Sequence, residues 1–193
     1  MTEFEGGRRG MKEVVAKSAP VAKGWCTGIF GISATGRSIS SVRAALERAG
    51  AVVEVDGQTS LRVRAPQELF VRVGDVLRLA HFGADRRLLA EYLEKDEYYS
   101  EVTVGEEGKV RVYSTMGRLI GTSGSTKKKI EELSATKLLF SDSAVAIVGN
   151  YEGVEIARRA IEEIIKGKPQ SSVVAGMAKR FEAIKRKEGE MMR

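Results

Sequence analysis

Residues 119–130 constrain this chain more than any other stretch. Leu119 and Ile120 lead into Gly121-Thr122-Ser123-Gly124, a turn with glycine at both ends, and Ser125-Thr126-Lys127-Lys128-Lys129-Ile130 follows at once. Glycine takes positive φ freely and lets the main chain approach a ligand closely. The basic segment has helical character, and a helix N-terminus favours negative charge. A plain corner between two packed helices often contains glycine too, so the turn must be weighed with its surroundings. Two competing phosphate loops are ruled out. Five residues after Gly117 stands Thr122, and five after Gly121 stands Thr126, so G-x-x-x-x-G-K-[ST] is missing, as is G-x-G-x-x-G. The seat suits a sugar-phosphate chain better than a mononucleotide.

The surroundings point the same way. Ser100 to Val104 reads as a strand ahead of the turn. Behind it, Thr136 to Phe140 is short, apolar and partly β-branched, Ser141-Asp142-Ser143 reads as a tight turn, and Ala144 to Val148 is a second apolar run. Asn150 can cap a helix in which Val154, Ala157, Ile161, Ile164 and Ile165 recur at helical spacing. The resulting order is strand, helix, G-x-x-G, helix, strand, strand, helix. That is the order of a eukaryotic-type (type I) KH module, an α+β fold whose loop clamps the backbone of about four nucleotides.

The pattern occurs twice. Shifting the chain by 85 residues lays Thr35-Gly36-Arg37-Ser38-Ile39 on Ile120 to Gly124, and Val53 and Val55 on Leu138 and Phe140. After one residue of slip, Phe70, Val73, Leu77 and Ala80 meet Val154, Ala157, Ile161 and Ile164, and Gly83 meets Gly167, where both helices should stop. We therefore expect two tandem type I KH modules, each β-α-α-β-β-α with a three-stranded sheet on helices. In the first copy Ile39 replaces the second glycine of the loop. Ile resists positive φ and adds bulk where a backbone would approach, so this copy is expected to have lost the clamp and kept a packing or protein-contact role.

The expected domains are a disordered segment over 1–11, a degenerate KH module with a linking helix over 12–95, a second KH module over 96–168, and a basic helical extension over 169–193. Residues 166–193 hold eight Lys or Arg against three acids, within a chain of net charge +6. Such a tail suits a polyanion partner. No apolar run reaches the ~18 residues of a membrane helix, and a lone Cys26 excludes internal disulfides and multi-cysteine metal sites. A cytoplasmic protein is expected, with no cofactor, no metal and no membrane partner. His81, the only histidine, reads as structural, and Trp25 as a buried anchor. The acid pairs Glu131-Glu132 and Glu162-Glu163 read as solvated, and no catalytic constellation emerges, so an enzyme is not expected.

Gly117-Arg118-Leu119-Ile120-Gly121, Gly124, Thr126-Lys127, Ile130-Glu131, Ala146-Ile147-Val148-Gly149, Ile156-Ala157-Arg158, Ala160-Ile161 and Gly167-Lys168-Pro169 carry a further signal. Over these residues the chain resembles the partner-of-Nob family of KH proteins in small-ribosomal-subunit assembly, with KRR-type processome proteins as near relatives. The resemblance implies binding to the 3′ region of small-subunit rRNA during precursor maturation. It also implies partnership with the Nob endonuclease and, in archaea, the α subunit of initiation factor two. Family members also have a degenerate first module. This chain departs from the usual G-x-G-G-[KR] loop, since Ser123 and Ser125 stand where a glycine and a basic residue are expected.

The combined expectation is a single-stranded RNA-binding protein acting in rRNA processing and ribosome biogenesis. N–H groups of Thr122, Ser123, Gly124 and Ser125 would contact phosphates beside Gly121, and Arg118, Lys127 and Lys128 would supply charge. Bases would lie along a groove of Leu119, Ile120 and the strand from Leu138 to Phe140. The alternative is a protein-interaction scaffold whose KH-like modules no longer bind RNA.

Overall fold

The computed structural model describes residues 24–31, 36–56, 60–104 and 109–191. It falls into two units that meet in sequence between Glu94 and Lys95. The segment expected to be disordered, 1–11, lies outside the described residues.

Unit one runs β1 (Trp25–Gly31), α1 (Gly36–Arg48), β2 (Val52–Asp56), β3 (Ser60–Pro66), α2 (Gln67–Phe70), α3 (Val73–His81) and α4 (Arg86–Glu94). Its antiparallel sheet has the order β1-β3-β2, with Val63 opposite both Gly28 and Val53. The alternation of β3 buries Leu61, Val63 and Ala65. The helical stripe Val42, Ala45, Leu46 of α1 is buried as well, as are Val76 and Leu79 of α3. α4 packs on α1 and α3. Arg72 ties its end down, lying 4.3 Å over the Tyr92 ring and donating to the Tyr92 carbonyl at 2.9 Å. Burial pushes the Tyr92 hydroxyl up to about 12, and that hydroxyl donates to Asp75 Oδ2 at 2.8 Å.

Three expectations for this half need correction. Between β1 and β2 the described residues hold one helix, not two. Gly36-Arg37-Ser38-Ile39, aligned with the loop of the second copy, is the first turn of α1. Only four residues separate Gly31 from Gly36, too few for a helix and a turn. Trp25 is 37% exposed at the start of a strand, not a buried anchor. His81 is exposed at the end of α3, its ring edge-on to Phe82, because the buried stripe of that helix falls on Val73, Val76, Leu77 and Ala80.

Unit two runs β4 (Tyr98–Thr103), α5 (Lys109–Ile120), a 3-10 turn (Thr122–Gly124), α6 (Ser125–Ser134), β5 (Lys137–Phe140), β6 (Ala144–Gly149), α7 (Tyr151–Ile165) and α8 (Gln170–Met191). Its antiparallel sheet is ordered β4-β6-β5, the strand order of unit one. Ile147 lies opposite Ser100 and Leu138. Leu119, Ile130, Leu138, Ile147, Ala157 and Ile161 form one core, which Val173 and Met177 of α8 join. Asn150 caps α7, its Oδ1 accepting from Gly153 N–H at 2.8 Å. Gly153 has no room for a side chain, since a Cβ there would lie 2.1 Å from the Ser134 carbonyl oxygen.

The helix expected to link the modules and the helix expected to extend the second are counterparts. Stepping 84 residues carries Gly83 to Gly167 and buried Leu89 to buried Val173. α8 packs on α6 and α7 as α4 does on α1 and α3. Both glycines sit at positive φ, 83° and 97°, where α3 and α7 end.

Candidate nucleic-acid interface

The interface is built where α5 stops. Gly121 takes φ 75°, Ser123 φ 52° and Gly124 φ 76°, so three of four consecutive residues lie in the left-handed half of conformational space. The two glycines serve different ends. A Cβ on Gly121 would sit 2.4 Å from Oγ1 of the buried Thr126, so this glycine lets the turn close onto the start of α6. A Cβ on Gly124 would meet nothing within 4 Å, so this glycine supplies conformation and leaves the space before it open. Thr122, Ser123 and Ser125 are exposed.

The turn spends part of its own donor set. Gly121 N–H donates to the Gly117 carbonyl at 2.8 Å, and Gly124 N–H to the Gly121 carbonyl at 3.1 Å. Ser125 N–H donates to the Thr122 carbonyl. Gly124 and Ser125 N–H are therefore engaged, contrary to the expectation that all four donors from Thr122 to Ser125 face a phosphate. Among the described residues, Thr122 and Ser123 N–H have no such internal acceptor.

Positive charge lies directly behind. α6 has no acid in its first turn, and Lys128 and Lys129 are exposed. Among the described residues neither makes an ion pair, so both add positive charge to the first turns of a helix whose N-terminus is itself positive. Lys127 Nζ lies 5.6 Å over the Phe140 ring, tying the start of α6 to β5. The Arg158 guanidinium on α7 is different. It is held between Glu155 at 2.8 Å and Glu162 at 2.7 Å, and its hydrogen bond lowers the Glu155 carboxyl below its ordinary pKa.

Three expected site residues sit elsewhere than their expected role requires. Leu119 is wholly buried and Leu138 is 1% exposed, so both are core and offer no face to a base. Their inward direction is shared with Met116 and Ile147, and the spacing Val112, Met116, Leu119 carried that signal in the sequence. Ile120 is 37% exposed beside the turn, and Phe140 of β5 is half-buried against the core, its ring facing Lys127. Arg118 Nη2 donates to the Lys168 carbonyl at 2.7 Å. Two contributors were missed. Gln170 Nε2 donates to the Arg118 carbonyl, and Glu131 Oε1, expected to be solvated, accepts from Leu138 N–H at 2.8 Å. Gln170 is 52 residues from its partner, so no local pattern could reveal it.

Among the described residues no group of three or more His, Cys, Asp or Glu could hold a metal ion. Nor is any described helix long and apolar enough to cross a membrane.

Sheet order, helix–turn–helix and left-handed turn together define a type I KH domain. Residues 102–182 match the family model of the second KH domain of PNO1, a eukaryotic-type KH domain (KH-domain type I). Over these residues the unit is similar to the PNO1 family, whose name abbreviates partner of Nob. An RNA-binding protein pno1 of Drosophila pseudoobscura pseudoobscura is 40% identical over 62 residues, covering 32% of this chain and 26% of that protein. A pre-rRNA-processing protein PNO1 of Yarrowia lipolytica is 30% identical over 107 residues, covering 53% and 42%. The matched stretches thus span a quarter to less than half of such relatives. Two crystal structures share the fold over both units. A protein of unknown function from Aeropyrum pernix has TM-score 0.78 at 23% identity, covering 86% of this chain and 96% of that one. A chain in the a/eIF2alpha–aDim2p–rRNA complex of Pyrococcus horikoshii has TM-score 0.70 at 22% identity, covering 84% and 97%.

Proposed function

We propose that this chain is a single-stranded RNA-binding protein of small-subunit rRNA processing and ribosome assembly, acting in the cytoplasm. Its two units are tandem KH modules, and the second grips the RNA. The observation that carries this reading is the exposed turn Gly121–Gly124, whose two uncommitted N–H groups stand at the head of a helix with unpaired lysines. Phosphates would lie at Thr122 and Ser123 N–H, with Lys128 and Lys129 supplying charge. Bases would rest beside Ile120 and the edge strand β5 and be read by hydrogen bonds to their exposed edges. The short hairpin at Asp142 keeps the far wall of the groove low, so the footprint is short.

The similarity of residues 102–182 to the PNO1 family and the rRNA in the complex of the Pyrococcus horikoshii protein support rRNA as ligand, and the segment proposed is the 3′ region of small-subunit rRNA. The same complex supports the α subunit of initiation factor two as a partner, and the family name supports the Nob endonuclease. The described residues of unit one hold no turn of this kind, which favours protein contact for that half. Filter binding with single-stranded oligonucleotides from the rRNA 3′ end tests the reading. Gly124→Asp places a carboxylate in open space, and it should abolish binding while the circular dichroism stays native. Undiminished binding by this variant would show that the turn does not hold the RNA, and absence of binding by the parent protein would leave the scaffold reading in its place.

A further inference from the structure

The start of α8 is fastened to the end of α5 by two crossed hydrogen bonds. Gln170 Nε2 donates to the Arg118 carbonyl, and Arg118 Nη2 donates to the Lys168 carbonyl at 2.7 Å. The last carbonyls of a helix have no partner within it. That of Gly117 takes Gly121 N–H, and that of Arg118 takes Gln170. Arg118 stands three residues before Gly121, so the point from which the turn springs is held by a segment fifty residues downstream. The turn needs such support. Ser123 sits at φ 52° without being glycine, a conformation that persists only where the surroundings enforce it.

Unit one provides an internal control. Its α4 is the counterpart of α8, but the residue in the place of Gln170 is Arg86. There the helix start is closed locally, with Asp85 Oδ1 accepting from Leu88 N–H at 2.8 Å. The crossed pair occurs in the unit that has a turn to hold.

We infer that Gln170 and Arg118 form a latch through which docked α8 keeps the Gly121–Gly124 turn in its RNA-gripping shape, an inference that rests on the RNA-binding reading above. Both are positioning residues. The phosphate charge then comes from the lysines of α6, and α8 contributes to affinity through geometry. A turn that holds the gripping shape only part of the time binds more weakly by that fraction. Removing one hydrogen bond of this kind predicts about two- to tenfold weaker binding.

The test pairs RNA titration at several salt concentrations with amide hydrogen exchange of the free 193-residue chain. Gln170→Ala should weaken binding of the 3′-end oligonucleotide about two- to tenfold, leave the salt slope unchanged, and quicken exchange at Gly121 and Gly124 selectively. Arg118→Lys keeps the charge but not the planar fork, and should behave like Gln170→Ala. Lys168→Ala keeps the accepting carbonyl and should leave exchange at the turn unchanged. If Gln170→Ala binds RNA and exchanges like the parent protein, the latch is refuted. Exchange quickened evenly across unit two would also refute it, since that marks general loss of stability. If the parent protein does not hold the oligonucleotide, the RNA reading itself fails, whatever Gln170 does.

Discussion

Unit one and unit two put the same strand order to different use. Four residues separate β1 from α1, whereas twenty-one separate β4 from α6, and the longer connection carries α5 and the turn. In unit one the aligned residues Gly36 to Ile39 are the opening turn of a helix. An anion clamp of this type needs a preceding helix to deliver the chain to the head of the next one and turn it there at positive φ. Without that helix the same residues simply wind into α1. Among the described residues unit one therefore holds no such clamp, and the short connection accounts for this without the bulk of Ile39. The second contrast lies at the corner after the central strand. Unit two brings α7 so close to the end of α6 that only Gly153 fits, whereas the counterpart position in unit one holds the half-buried Leu69.

The largest effect should come from that corner. Gly153→Ala forces a methyl against the Ser134 carbonyl and should cost unit two more than about 3 kcal/mol. Leu69→Ala in unit one should cost about 1 kcal/mol, and chemical denaturation followed by residue-resolved NMR separates the two. Equal costs would mean that the corners do not differ as described. Next comes the pair at the end of α5. Leu119→Ala should lose about 2 to 3 kcal/mol as a buried core truncation. Ile120→Ala should lose less than about 1 kcal/mol and weaken RNA binding instead, as calorimetry and filter binding would read. The smallest effect is the most pointed. Ile39→Gly restores the G-x-x-G spelling in unit one, yet it should create no second RNA site and should only cost about 1 kcal/mol of helix stability. An added binding event, read as a change in stoichiometry, would show that Ile39 and not the missing helix silences unit one.

Much of unit two was legible from its residues. The element order, the Asn150 cap and the stop at Gly167 are local matters of periodicity, side-chain capping and positive φ. The turn was legible for the same reason. Unit one was misread at Gly36 because sliding the chain on itself compares residues and ignores how many lie between strand and helix. Counting back from Gly36 to the apolar run at Ile29-Phe30 would have left no space for a helix. Leu119 and Leu138 were assigned to the groove because an apolar residue near a turn looks the same whether it faces a ligand or the core. The stripe Val112, Met116, Leu119 held the answer for one of them, and pairing with Ile147 settled the other.

By itself the sequence determined the left-handed turn at Gly121 to Gly124, the Asn150 cap, the stops at Gly83 and Gly167 and the run of lysines behind the turn, since each depends on residues within a few positions of one another. Which apolar faces disappear into the core, which donors of the turn remain uncommitted, and how Gln170 reaches Arg118 were decided only in the tertiary structure. Burial and hydrogen bonding between residues fifty positions apart depend on partners that no stretch of neighbouring chain contains.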